Sequence, residues 1–276
     1  MKVHVGEMST TIPVVGRVLN FLIRICLIPV TKYENCGFEM KVRSWKFVIT
    51  SMIWTVVPCT LATYIYIPQI ENALKKNTAF IASSIVKITS YMSIHVFLPF
   101  CMGYLVSKVK IPLQEMAAPS QKCTIVLITL VTLFFAVFEF ASQPDIFGVK
   151  SIITLITNIF MTITPSSALF IVNLYTSSFV SRCKKLSCYT GEFASECKSL
   201  LLAYRSVKNG FGPILLYMLT VHVTVMISIV YGLTTVSDRF LAYFFVFISE
   251  VIFILTLCII CQECFDEFQA TEDVIR

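Results

Sequence analysis

Long apolar runs alternate with short polar segments along most of the sequence. In the run 214–233, twenty consecutive residues include a single acidic or basic side chain, His222. A helix of about 20 apolar residues crosses the hydrocarbon core of a bilayer. The same pattern recurs along the chain and predicts six spans, at about 45–67, 79–107, 123–142, 149–180, 210–233 and 240–261. We therefore predict an all-α fold, a polytopic transmembrane helical bundle.

The composition also indicates a membrane protein. Hydrophobic residues make up 57% of the 276 residues, and charged residues make up 14%. Soluble domains average about 45–50% apolar and about 25% charged residues. The sequence contains no motif of a zinc protease, a serine hydrolase or a phosphate-binding loop. We therefore predict no enzymatic activity and no cofactor.

The basic residues lie mainly between the apolar runs, so the net charge of +6 does not require a nucleic-acid partner. Segment 181–208 carries six basic residues against two acidic ones, Glu192 and Glu196. Lysine and arginine favour the cytosolic side of short loops. The asymmetry predicts a cytosolic N-terminal arm (1–44), a transmembrane bundle (45–261) with a large cytosolic loop (181–208), and a cytosolic tail (262–276). We therefore predict a multi-pass protein of the plasma membrane.

Segment 11–30 of the arm is apolar enough to resemble a span, but it contains Arg17 and Arg24. An arginine near the centre of a span costs about 2.5–3.5 kcal/mol. We interpret the segment as an amphipathic helix that lies against the membrane or against the protein. A further spanning helix is the alternative interpretation.

Ionisable residues inside the predicted spans are the first candidates for ligand contact. Each is costly in lipid, and each should therefore face the bundle interior, a partner or water. Lys87 and Glu139 lie towards the outer side of their predicted spans. Three roles are open to them: an ion pair with each other, contact with a polar ligand between them, or extension to the lipid headgroups. His95, His222 and Glu250 lie nearer the middle of the membrane.

Aromatic residues of the second, fifth and sixth predicted spans are the second group, since they either pack the core or line a pocket for a small organic molecule. The full set of candidate ligand-binding residues is Lys87, Tyr91, His95, Glu139, His222, Tyr231 and Glu250.

Three cysteines near the end of the sixth predicted span have a spacing that resembles a metal site. Cys258, Cys261 and Cys264 follow one another at intervals of three residues, but no fourth ligand is evident. On a helix, residues three apart share a face. We interpret the three as small apolar residues on one face, open to palmitoylation, and we predict no metal site.

Around the fifth predicted span, a leucine-and-tyrosine pattern leads to an Asn-x-Phe-Gly-like approach and then to a span that ends on a tyrosine. The residues are Leu200, Leu201, Leu202, Tyr204, Asn209, Phe211, Gly212, Leu215, Leu216 and Tyr231. In these positions the chain resembles the arthropod gustatory receptor family. Within that resemblance, Tyr204, Asn209, Phe211, Gly212 and Tyr231 form the family-like structural motif.

The resemblance implies a chemosensory receptor for small-molecule tastants, with the N-terminus in the cytosol. It also implies a ligand-gated cation channel that assembles as a homo- or hetero-oligomer with related subunits, in contact with membrane lipid. The family has a seventh span, with a Thr-Tyr-x-x-x-x-x-Gln signature, that lines the ion pore. The sequence reaches Arg276 without this signature, so we expect an incomplete chain or a product that does not conduct by itself.

Two other functions compete with this interpretation. A G-protein-coupled chemoreceptor needs segment 11–30 as an extra span and an N-terminus outside the cell, which Lys2, Arg17 and Arg24 disfavour. A small-molecule transporter usually has internal repeats and broken helices at matched positions. The sequence has no evident repeat, and only Pro165 predicts a kink within a span.

Overall fold

The computed structural model is an α-helical bundle. It describes residues 14–32, 38–74, 78–108, 120–141, 147–186, 193–235 and 240–275. For a minority of these residues, including Lys87, Glu139, Tyr204 and Phe211, it describes the backbone alone. The helices are α1 (Val14–Arg24), α2 (Trp45–Thr50), α3 (Val57–Leu74), α4 (Thr78–Lys108), α5 (Lys122–Ala141), α6 (Val149–Leu186), α7 (Phe193–Thr235) and α8 (Phe240–Ile275).

Five helical stretches of the described chain are long and apolar enough to cross a membrane. They are Trp45–Pro68, Ile88–Lys108, Val149–Lys184, Gly212–Tyr231 and Phe244–Ala270. The predicted all-α polytopic bundle is therefore confirmed, but with five such stretches rather than six. Helix α5 (Lys122–Ala141, 20 residues) occupies the third predicted span, 123–142, and its described side chains give an apolar stretch at Cys123–Phe134.

Helix α6 lies at the centre of the bundle. It packs against α3, α4, α5, α7 and α8. Between residues 167 and 176, every side chain except Phe170 is buried. Burial on all sides identifies a core helix. By contrast, α7 has exposed side chains at Leu216, Ile227 and Val230, as expected of a helix with one face towards lipid.

Three helices extend well beyond the predicted spans. The predicted loop 181–208 is largely helical, because α6 continues to Leu186 and α7 already begins at Phe193. Segment 193–208 contains no glycine or proline to interrupt a helix. Helix α7 then continues through Pro213. Helix α8 likewise extends through most of the predicted tail, to Ile275.

The N-terminal arm packs on the bundle. Helix α1 has 11 residues and is therefore about 16 Å long, too short to cross a membrane. Leu19, Leu27 and Ile28 are fully buried in the same apolar cluster as α4 and α6. After α1, two-residue strands β1 (Thr31–Lys32) and β2 (Phe38–Glu39) pair antiparallel, with Thr31 opposite Glu39.

A π-helical segment, Ser51–Val56, joins α2 to α3 and anchors the arm. Pro58 is the second residue after the segment, and a proline has no N–H to continue the regular ladder, which is a common cause of a local change in helical geometry. The segment contains Trp54, whose Nε1 donates a hydrogen bond of 3.1 Å to the carbonyl oxygen of Ile25. The hydroxyl of Thr50, the residue just before this segment, donates a hydrogen bond to the carbonyl oxygen of Cys26.

Candidate functional site

The structure brings together two of the predicted intramembrane residues, His222 and Glu250. His222 Nδ1 on α7 lies 2.6 Å from Glu250 Oε2 on α8. Both side chains are buried. His222 is ten residues into the stretch Gly212–Tyr231 and is therefore about 15 Å along it, near its middle. A charge-assisted hydrogen bond of this length is among the strongest side-chain interactions, and low surrounding polarity strengthens it further.

Phe253 completes this cluster on the side of α8. Its ring is stacked on the imidazole of His222, with centroids 3.9 Å apart and planes 27° apart. Phe253 follows Glu250 by three residues, so both project from the same face of α8. The stacking restricts the rotation of the imidazole. Sequence reasoning missed Phe253, although its spacing from Glu250 was a usable signal.

The second ring nitrogen of His222 is the chemically available group of the cluster. Nε2 is buried and has no hydrogen-bond partner among the residues that the structure describes. A neutral imidazole that donates from Nδ1 accepts at Nε2, whereas an imidazolium donates there. A buried polar atom without a partner costs about 1–3 kcal/mol. A ligand with a hydroxyl, amine or carbonyl group would recover this cost.

A second polar contact joins α7 to α4. The hydroxyl of Tyr217 donates to Ser93 Oγ at 3.0 Å, and the ring of Phe97 meets the ring of Tyr217 edge-on at 6.0 Å. Tyr217 precedes His222 by five residues, about 7.5 Å along the same helix. Five residues also turn about 140° around a helix, so Tyr217 faces α4 whereas His222 faces α8, and the two polar contacts are separate.

His95 lies on a different side of α4. Its Nε2 is 3.2 Å from the sulfur of Met161 on α6, and its carbonyl oxygen accepts a 2.9 Å hydrogen bond from Thr55 Oγ1. Ser93 and Phe97 are each two residues from His95, which is about 200° around a helix. Since those two face Tyr217 on α7, His95 faces away from Tyr217 and towards α6. The structure does not bring the two histidines into one site.

The remaining ligand candidates lie apart from the pair or outside the description. Tyr91 is half-buried and packs against the core of the bundle. Tyr231 follows His222 by nine residues, about 14 Å further along α7. The side chains of Lys87 and Glu139 lie outside the described part of the chain, and their ion pair therefore stays a prediction.

The family-like motif is partly described. Asn209 and Gly212 are exposed, and a Cβ added at Gly212 would meet no atom within 4 Å. A glycine is therefore not required there for packing against a described residue. The side chains of Tyr204 and Phe211 lie outside the description.

A second cluster, which sequence reasoning missed, joins α5, α6 and α8 at one end of the bundle. Glu263 on α8 accepts hydrogen bonds from Ser120 Oγ at 2.7 Å and from Gln121 Nε2 at 3.0 Å. Two serine hydroxyls lie within hydrogen-bonding distance of Oδ1 of the buried Asn173. Ser120 Oγ is 3.1 Å from it, and Ser177 Oγ is 3.0 Å from it. Ser120 and Glu263 are 143 residues apart. No local signal in the sequence joins them.

The three cysteines at the end of the sixth predicted span differ in exposure. Cys258 is exposed, Cys261 is intermediate and Cys264 is buried. Within the described part of the chain, no group of three or more His, Cys, Asp or Glu residues is arranged to hold a metal ion.

No protein-family model matches the chain, and no curated protein or solved structure matches it either.

Proposed function

We propose that this chain is a chemosensory receptor of the gustatory type, which detects small-molecule tastants at the plasma membrane. The coarser part of this statement, a multi-pass α-helical membrane protein, rests directly on the five apolar helical stretches. The finer part rests on the buried pair of His222 and Glu250 and on the resemblance in segment 200–231.

The observation that carries the proposal is the buried Nε2 of His222. His222 is bonded at Nδ1 and has no described partner at Nε2; Nδ1 of the buried His95 has none either, but His222 is the histidine that a carboxylate, Glu250, holds in place. Intramembrane ionisable residues commonly mark ligand or ion sites. Glu250 fixes the imidazole from one side and Phe253 covers its face, so the ring is held in one orientation before a ligand arrives.

The same contacts suggest how ligand binding is transmitted. His222 and Glu250 belong to the neighbouring helices α7 and α8, which also pack extensively on each other. A ligand that binds Nε2 more tightly in one arrangement of these helices shifts the equilibrium towards that arrangement. Related receptor subunits, assembled as a homo- or hetero-oligomer, would convert this shift into opening of a cation pathway.

Replacement of the pair by an uncharged, non-bonding pair should weaken ligand binding. The purified full chain is screened for compounds that raise its thermal unfolding temperature, with a panel of sugars, amino acids and alkaloids. The double variant H222F/E250Q keeps an aromatic ring for Phe253 and leaves no unpaired buried charge. We expect it to bind an active compound about 10–100-fold more weakly, since a hydrogen bond to a charged group contributes about 1.5–3 kcal/mol.

Thr220→Ala is the matched control. Thr220 is exposed on α7, two residues from His222, and its hydroxyl bonds only to its own helix, at the carbonyl oxygen of Leu216. We expect unchanged binding in this variant. Full retention of binding by H222F/E250Q, or an equal loss in Thr220→Ala, would rule out the pair as the ligand site. Calcium entry into cells that express the chain then tests the channel function separately.

A further inference from the structure

The protons of the buried pair limit which ligand His222 can bind. Nδ1 of His222 lies 2.6 Å from Oε2 of Glu250, so one proton lies between these two atoms. Three arrangements are consistent with this contact. An imidazolium donates to a carboxylate, a neutral imidazole donates to a carboxylate, or a protonated carboxyl group donates to a neutral imidazole. The first and the third leave the pair without net charge, whereas the second leaves one negative charge.

The surroundings of the pair favour the two arrangements without net charge. Both side chains are buried, and segments 210–233 and 240–261 contain no acidic or basic residue besides His222 and Glu250. In the described part of the chain, the ion-pair partner of Glu250 is His222. The adjacent Ser249 meets α5 through an uncharged contact, with its Oγ 3.0 Å from Oγ1 of Thr132. An uncompensated charge is strongly disfavoured in such an environment.

Both uncharged arrangements place a proton on Nε2 of His222. An imidazolium is protonated at both ring nitrogens, and a neutral imidazole that accepts at Nδ1 carries its proton at Nε2. Nε2 is buried and has no hydrogen-bond partner among the residues that the structure describes. The pair therefore presents a buried N–H donor without an acceptor, and the matching ligand group is a hydrogen-bond acceptor.

The side chains around the pair are apolar. Met218 and Val225 lie about one turn before and one turn after His222 on the same face of α7, and both are buried. On α8, the ring of Phe253 stacks on the imidazole, and the buried Leu257 follows it by one turn. A ligand held at Nε2 therefore contacts hydrocarbon with the rest of its surface. A methionine side chain is flexible, so this face of α7 can adapt to a ligand.

We propose that the ligand of the His222–Glu250 pair is an uncharged, lipophilic carbonyl compound, such as a ketone, an ester or a lactone. This assignment rests on the proposed function, because it names the ligand class of the same site. A carbonyl oxygen accepts from Nε2 and brings no donor of its own. A hydroxyl group also accepts, but its proton would remain unpaired among apolar side chains. An ammonium group would bring a charge and no acceptor.

A matched series of compounds tests the ligand class. The purified full chain is titrated in detergent with methyl ketones of increasing chain length, and with the alcohols and amines that have the same carbon skeletons. We expect the best ketone to bind about tenfold more tightly than its alcohol and its amine, since one unpaired buried polar group corresponds to about a factor of ten. H222F/E250Q should lose the preference for ketone over alcohol, and Thr220→Ala should keep it.

Two measurements on the wild-type protein support this titration. The carbonyl stretch of a bound, isotope-labelled ketone should move to lower wavenumber than in detergent alone, because Nε2 donates to it. The ¹⁵N spectrum of the histidine-labelled, ligand-free protein should show a protonated Nε2 at His222, assigned by its absence from the spectrum of H222F/E250Q.

The outcomes separate the ligand class from the proposed function. An unprotonated Nε2, an unshifted carbonyl stretch or tighter binding of the amine would overturn the ligand class and leave the receptor proposal standing. So would binding of a sugar, an amino acid or an alkaloid at the pair when no ketone binds. If no compound of either series binds, both proposals are rejected.

Discussion

Gly103 shows how one residue determines where the N-terminal arm docks. A Cβ added to Gly103 would lie 2.9 Å from Cγ of Pro29 and 3.0 Å from the sulfur of Met40. The arm therefore packs directly on the backbone of α4. Close approach of this kind between segments in a membrane protein depends on small residues.

Gly103→Ala should therefore destabilise the protein. The proline ring that meets the new methyl group has little freedom to move, and overpacking of this kind costs about 1–3 kcal/mol. Gly212→Ala is the matched control, because its Cβ would meet no atom within 4 Å. Alanine in an open helical position stabilises by about 0.5–1 kcal/mol relative to glycine.

Thermal unfolding in detergent measures both glycine variants. We expect the unfolding temperature to fall for Gly103→Ala and to stay level or rise for Gly212→Ala. A rise in both variants would mean that the arm does not contact Gly103 in the native protein.

At the scale of residues, the sequence indicated which side chains deserved attention but not what they contact. The cost of burying ionisable groups was enough to select His222 and Glu250. The choice of Glu250 as the partner of His222, and the stacking on Phe253, depend on how α7 and α8 are rotated against each other. His95 was selected by the same argument, yet it faces Met161 on another side of the bundle.

At the scale of elements, α8 is longer than its predicted span, and its extension is attached to the bundle by specific contacts. Glu263 bonds to both Ser120 and Gln121, directly before α5. One turn further along, Lys184 on α6 lies 3.8 Å from Glu267. The ring of Phe179 packs 6.4 Å from that of Phe268. These contacts explain why the polar tail continues as an ordered helix.

Glu263→Ala should loosen the start of α5 and the extension of α8. The two lost hydrogen bonds are partly solvent-exposed, so we expect a cost of about 1 kcal/mol. Hydrogen exchange should rise at 120–125 and 260–268. Asp266→Ala is the control, because Asp266 accepts from Gln262 of its own helix. Equal protection in wild type and Glu263→Ala would show that apolar packing alone holds α8.

Helix α1 and the connection 181–208 show the limits of a hydropathy pattern at this scale. Segment 11–30 is as apolar as a weak span, but α1 is short and the residues after it turn back against Trp54 and Thr50. Segment 181–208 is polar and was assigned to a loop, yet most of it is helical. A polar sequence indicates that a segment is exposed to water, and it does not by itself exclude a helix.

At the scale of the whole molecule, the direction of the chain across the membrane depends on the distribution of charge. The basic residues of 181–208 and of the N-terminal arm favour the cytosolic side, while the predicted outer segments carry only Lys75, Lys76, Lys150 and Arg239. This orientation is a prediction from the sequence alone.

Epitope labelling on intact cells tests the orientation. An epitope at Met1 should be inaccessible until the cells are permeabilised, and an epitope inserted after Asn77 should be accessible from outside; both positions lie outside the described residues. Lysines and arginines on the wrong side would each oppose insertion, which is why we expect one orientation. Labelling of Met1 on unpermeabilised cells would reverse the topology and reject the receptor proposal.

The sequence by itself determined the class of protein and the approximate position of most spans, because length and hydropathy are properties of each segment alone. Only the tertiary structure decided that α6 is the central helix, that the arm docks on Gly103, and that His222 meets Glu250 and Phe253. In a membrane, side chains that face lipid and side chains that face protein are both apolar. The pattern along such a helix therefore does not show which face is inside, and the contacts between helices follow only from their packing.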